Sequence, residues 1–389
     1  LSYSEGYFKT IKNFMELILA GVALLGVIAW LVIKWLARSE VKPPIKRVSA
    51  AIDLPTPAPT APPPSASVVE LPEPQIPPAL ASFVRQDASA LPEEQRQALL
   101  NRLQTIPHPP RVLQQLTSPG TLQKASSAEI AELVMSEPAL AAKVLATVNA
   151  PLYGLHKPVA HLGQGITFLG LNSVRSICMQ HMLKASFANA SPALGQGFEH
   201  YWQASAIGSE LCAKLASKLG IPEGGVMVTQ VVLSFLGPMA ALTLMPQDRA
   251  RCLHTASLWE RTQTEQDALG ISGSTLGQWL MTSWGLPSPI VQQVARMDAC
   301  LEQPFEAARA ESTATALSYW CARVGEQLAT GGPERWAAFQ WEDDDTLDTA
   351  LVRPYLKAVL GDRLTTTLQD PAVVQSMTTL MTGKPQATT

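Results

Sequence analysis

Charge is scarce in this chain: Asp, Glu, Lys and Arg make up 16% of 389 residues, and the formal net charge is -3. No basic block occurs, so the electrostatic footprint with which nucleic-acid binders displace counterions is missing, and no nucleic-acid partner is expected. The five cysteines, Cys178, Cys212, Cys252, Cys300 and Cys321, are scattered and form no C-x-x-C pair. They read as reduced, mostly buried thiols of a cytosolic domain. The glycines compose neither a P-loop nor a dinucleotide fingerprint. Alternating apolar and polar runs long enough for a sheet are missing, as is any repeat of fixed period. What the chain does have is apolar residues, 47% of the total, enough for one sizeable core or two.

The apolar residues are unevenly spread. Leu17 to Ile33, "LILAGVALLGVIAWLVI", is continuously apolar, and with Phe14, Met15, Trp35 and Leu36 the stretch 14–36 reaches the roughly 20 residues that cross a bilayer. A single transmembrane helix is expected, anchored by Leu17, Trp30, Ile33, Lys34 and Trp35. A cleaved signal peptide competes, but the apolar core is long for one and no small-x-small site follows. Lys34, Arg38, Lys42, Lys46 and Arg47 follow the span, whereas Lys9 and Lys12 alone precede it. The positive-inside rule then places residues 1–13 as a short extracytoplasmic tail and the C-terminal bulk in the cytoplasm.

Residues 37–90 read as a linker rich in proline and alanine, centred on "PTPAPTAPPPSAS". Proline removes backbone donors and disfavours both helix and sheet. At about 3.1 Å per residue, an extended polyproline segment of this size holds a domain on the order of 100 Å from the bilayer. A ligand for a proline-binding domain is the alternative reading of "PTPAP" and "APPP".

From about Leu91 the periodicity is helical. Ser126 and Glu129 make a capping box that opens "AEIAELVM". Pro138 restarts the chain in a first helical turn, and Leu140, Val144, Leu145 and Val148 form the next stripe. Gly170 reads as a C-cap and Asn172 as the N-cap of "SVRSICMQHMLKASF". The uncharged run Val226 to Pro246 reads as one buried core helix, since Gln230, Ser234, Gly237 and Pro238 suit a membrane span poorly.

The stretch from Leu103 to Met179, containing "SEPALAAKVLATVNAPLYG" and "GITFLGLNSVRSI", resembles the opening half of the HDOD domain family. The resemblance continues more loosely through "GISGSTLGQWLMTSWGLPSPIVQQVARM" (Gly270 to Met297) and covers roughly residues 95 to 330. It implies an all-α bundle related to the HD phosphohydrolases, over residues 91–330; residues 331–389 lie beyond it and read as a helical extension or, equally, as a partner-specific surface. HD hydrolases bind metal through an upstream His, a His-Asp pair and a later Asp, which together hold an ion that activates water. By position those ligands fall at Ala204, at Leu236 and Gly237, and at Ala322, none of which carries a lone pair for a metal. The resemblance therefore implies a degenerate metal site, no catalytic residues, no metal and no cofactor. The vestigial positions remain candidates for a pocket.

Other candidates are weaker. His156, His161 and His181 are not spaced as a metal cluster, and His200, one turn before Ala204, would be a lone ligand. "WEDDDTLD" (Trp341 to Asp348) lacks the glycine and distal Glu of a calcium loop, and Asp345 reads as the cap of "LDTALVRPYLKAVL". The expectation is a membrane-tethered, non-catalytic signalling scaffold that binds other proteins through its cytoplasmic domain. A structural part of a pilus, flagellar or secretion machine is one alternative, and a repurposed phosphohydrolase acting on a cyclic dinucleotide is another.

Overall fold

A computed structural model describes residues 71–150, 155, 157–188 and 192–382. The tail, the apolar span with Leu17, Trp30, Ile33, Lys34 and Trp35, most of the linker, and His156 lie outside the described residues. All regular structure among the described residues is helical, as expected.

The helices begin where their capping chemistry dictates. After α1 (Glu93–Leu103) come α2 (Val112–Leu116) and α3 (Pro119–Lys124), the latter capped by the Ser118 hydroxyl, which accepts from the Thr121 N–H. The Ser126/Glu129 box opens α4 (Ser127–Met135), and Pro138 is the first residue of α5 (Pro138–Val148). Gly170, at φ 84°, ends α6 (Leu162–Leu169) and starts α7 (Leu171–Ser186) with no connecting loop, a backbone angle that glycine adopts without strain. Asn172 is therefore inside α7 and is not its cap. Its carbonyl instead accepts from the Arg175 guanidinium at 3.0 Å.

The long α8 (Gly195–Leu219) follows, and the uncharged run folds as α9 (Gly224–Ser234) and α10 (Leu236–Leu244). One helix was expected over Val226–Pro246. It is broken at Phe235, and Pro238 has no N–H to give to the Ser234 carbonyl. The run is long and apolar enough to cross a membrane, yet 89% of its most apolar window is buried within the protein, so core is its role here. A second capping box, Ser257 with Glu260, opens α11 (Leu258–Leu269), and Ser272 caps α12 (Gly273–Ser283). α13 (Ser288–Asp298) leads to α14 (Ala310–Ala337), which kinks at Gly332, and α15 (Val352–Val359), α16 (Asp362–Leu368) and α17 (Pro371–Thr382) complete the described chain.

One hydrophobic core runs from Leu99 in α1 to Met377 in α17. Its centre is the pair α8 and α14, against which α9 also packs. Small residues let the two backbones touch. A Cβ on Gly208 would lie 2.7 Å from the Cys321 carbonyl oxygen, and one on Gly325 would run into the Ala204 carbonyl oxygen. A similar contact joins α10 to α12, where a Cβ on Gly237 would lie 2.5 Å from the Gly273 carbonyl oxygen. The C-terminal helices share this core: Val373 and Met377 are fully buried in it, and Lys218 on α8 pairs with Asp370 at 2.7 Å.

Residues 71–90, read from sequence as the end of the linker, are fastened to the bundle. Leu80 packs with Leu301 and Leu351, Arg85 pairs with Glu302 at 3.1 Å, and the Gln86 backbone is held through Gln266 and Ser272.

The Gly208 contact is backbone against backbone and cannot be relieved by a rotamer change. Gly208→Ala is expected to destabilise the protein by about 2–3 kcal/mol, read by urea denaturation of the intact chain in neutral detergent. Gly120→Ala, where an added Cβ meets nothing within 4 Å, serves as the control and is expected to leave the midpoint where it is or raise it slightly.

Candidate functional site

Ala204 on α8, Leu236 and Gly237 at the start of α10, and Ala322 on α14 all sit inside the packed core. Ala204, Leu236 and Ala322 have no exposed surface at all. Ala204 and Ala322 belong to the close α8–α14 crossing, and Gly237 is pressed on α12. Their methyl, isobutyl and hydrogen substituents offer no donor atoms, so the residues present do not fit a divalent metal.

Charge is nevertheless buried next to them. Arg261 on α11, 2% exposed, pairs with Glu326 on α14 at 3.0 Å and approaches Glu265 at 3.9 Å. Its guanidinium also lies 5.3 Å from the centre of the Tyr201 ring and contacts the Tyr201 hydroxyl at 3.4 Å. Arg323 closes the other side of Glu326 at 2.9 Å and stacks over Tyr319. The Tyr319 hydroxyl donates to the Asp348 carbonyl oxygen at 2.6 Å.

This network borders the four positions. Tyr201 is one turn before Ala204, and Glu326 one turn after Ala322. Glu265 accepts the Gly273 N–H at 2.6 Å, and Gly273 is the residue against which Gly237 is pressed. A fixed guanidinium thus supplies positive charge beside the four positions at which the sequence resemblance places the missing metal ligands.

Burial and neighbouring charge oppose each other in this group, and the balance differs from residue to residue. The Arg261 guanidinium is held well above its usual range because the carboxylate of Glu326 and the other acids outweigh its desolvation. Desolvation raises Glu265 to about 7, against the opposing pull of Arg261 and the Gly273 N–H. Glu326 is lowered, because its two arginines overcome its own burial. Half-buried His200 has its value lowered, first by desolvation, and its ring lies 5.7 Å from that of His254. His161 is exposed and His181 half-buried in α7, and among the described residues no group of three or more His, Cys, Asp or Glu side chains is arranged to hold a metal.

The acidic stretch has a different job from the one expected. Asp345 is not a cap: α15 begins at Val352, and Asp345 pairs with Arg353 at 2.6 Å. Asp348 does the capping, and for a remote helix. Its carboxylate accepts the Leu258 and Trp259 N–H groups at 2.7 and 3.0 Å, where α11 leaves donors unsatisfied. Sequence reasoning missed this and missed Arg261, Glu265, Arg323 and Glu326. The one signal available was their placement: "YWCARVGEQL" puts an arginine and a glutamate inside an apolar stripe.

A family model described as the HDOD domain matches residues 106–300. No curated protein matches the chain. Among solved structures, an HDOD domain protein with unknown function from Geobacter sulfurreducens is 16% identical, covers 73% of this chain and 98% of its own, and has a TM-score of 0.46. A provisionally named phosphohydrolase from Shewanella amazonensis SB2B is 17% identical, with coverage of 73% and 98% and a TM-score of 0.47. A provisionally named signal transduction protein from Marinobacter aquaeolei VT8 is 19% identical, with coverage of 78% and 68% and a TM-score of 0.47.

The raised Glu265 gives a pH test. A carboxyl whose value is raised on folding, here from 4.5 to about 7, contributes stability that is complete below the unfolded value and lost as pH rises through the folded one. Glu265→Gln keeps an acceptor for the Gly273 N–H and cannot ionise. Its stability relative to wild type should therefore rise by about 1–3 kcal/mol as pH climbs through that window, measured by denaturant midpoints at several pH values. A difference that stays flat with pH would mean that Glu265 does not titrate there.

Proposed function

The chain belongs to the HDOD domain family, and from that premise we propose that it is a non-catalytic signalling adaptor that binds other proteins in the cytoplasm while tethered to the inner membrane. The observation that carries the non-catalytic part is the state of the four positions. Ala204, Leu236, Gly237 and Ala322 lack metal-binding atoms and are closed by helix contacts, and Arg261 brings a permanent cation beside them. A water-activating metal has no donor set there. Without that chemistry the domain acts through what its surface binds.

The tether rests on the sequence. The apolar stretch 14–36 is of spanning length, and the basic residues after it orient the helical domain inward. The proline-rich segment keeps that domain clear of the bilayer and lets it search a shell of neighbours. The C-terminal helices, sharing the core of the bundle, present a surface that the family match does not reach, and a partner of this particular chain is expected to read it.

Proximity labelling from a fusion at the C-terminus tests the proposal. The intact chain is expected to label a small set of signalling proteins, and deletion of residues 14–36 to release the chain from the membrane fraction and erase that set. Labelling of envelope-machine subunits at constant ratio would instead make the chain a structural component. A labelled set unchanged by the deletion would refute the tether.

A further inference from the structure

A cavity of about 420 Å³ opens between the end of α3, the start of α9, and the helices α13 and α14. Two polar atoms of residues that line it are buried without a hydrogen-bond partner among the described residues: the amide oxygen of Gln230, a residue 4% exposed on α9, and Oε2 of Glu223, the residue before α9. Burying such an acceptor unpaired costs about 1–3 kcal/mol. A glutamine in mid-helix, within a run of valine, leucine and methionine, is a costly residue to keep unless something binds it.

The lining sets the chemistry of that something. Glu223 and Glu311 are carboxylates, and among the described residues no lysine, arginine or histidine lines the cavity. Glu311 is engaged by Arg296, so Glu223 is the carboxylate left open. Gln230 can present either end of its amide, whereas a carboxylate at neutral pH only accepts, so the occupant must donate. The buried Arg175 nearby does not line the cavity; its two terminal nitrogens donate to Asn172 and Thr121, and its Nε–H is left without a partner among the described residues. Leu122, Pro222, Val226 and Ala314 form the remaining walls, suited to an alkyl stem behind a polar head.

We propose that this cavity is a binding site for an alkylguanidinium or alkylammonium group, whose N–H donors satisfy Gln230 and Glu223 while its stem lies on the apolar wall. The group belongs either to a free small amine or guanidine or to an arginine or lysine side chain of a bound peptide. The site is separate from the four vestigial positions and does not depend on the adaptor reading.

Calorimetric titration of the intact chain in neutral detergent, at low salt, tests it with pentylguanidine, pentylamine, hexanamide and acetyl-Gly-Arg-Gly-amide. Saturable one-to-one binding of the two cations is expected, weakened at least about tenfold by Gln230→Leu and by Glu223→Gln, with no binding of the neutral hexanamide. Binding of pentylguanidine but not of the peptide identifies a small-molecule site, and tighter binding of the peptide identifies a peptide site. Gln230→Leu removes an unpaired acceptor, so its melting temperature should equal or exceed that of wild type; should it fail to fold, Glu223→Gln at the rim carries the test alone. No saturable binding of any cation up to about 10 mM, equal binding of hexanamide, or binding untouched by the variants would overturn the proposal.

Discussion

The closest constraint in this protein is the crossing of α8 and α14, where Gly208 and Gly325 allow two helix backbones to meet without intervening side chains. Everything around it is placed by that contact. It holds Ala204 and Ala322 in the closed crossing, and it fixes Tyr201 and Glu326 at the same end of it, where Arg261 joins them. Backbone contact of this kind has little tolerance, because protein interiors are packed as densely as organic crystals and have no slack to absorb a methyl group.

The buried ion network follows from the same geometry and limits what the core can do. Burying an arginine among carboxylates rarely stabilises a fold compared with apolar residues of the same volume, but removing one partner leaves an uncompensated charge and costs several kcal/mol. Arg261, Glu265, Glu326 and Arg323 must therefore be kept or lost together. Asp348 extends the arrangement by capping α11 from the far side of the sequence, and Tyr319 ties the Asp348 backbone back to α14. Segments distant in the chain are thus coupled through polar atoms inside an otherwise apolar bundle. The outcome is a helical bundle in which buried charge ties distant segments together.

The local features were legible from sequence and the long-range ones were not. Ser126 with Glu129, Pro138 and Gly170 act through neighbours a few residues away, and each does what its chemistry dictates. Asn172 and Asp345 have the right chemistry for caps, yet tertiary partners claimed them: Arg175 took one and Arg353 the other. The uncharged run was recognisable as core because a glutamine, a serine and a proline interrupt it, and the same proline, Pro238, lacks the N–H that would continue one helix past Phe235. Of the candidate site, the lack of donor atoms on the side chains of Ala204, Leu236, Gly237 and Ala322 is a matter of residue identity alone. The buried network could not be read that way, since Arg261 and Glu265 are spaced like any solvated i,i+4 pair, and only the fold reveals that both are inside.

The central claim is that the ancestral metal position has become packed core with Arg261 beside it. Its most direct test is elemental analysis of the intact chain after equilibration with manganese, magnesium and zinc and removal of loosely held ions. The account predicts no stoichiometric metal. One or two equivalents retained per chain, and lost on substitution of Glu265 or Glu326, would contradict it.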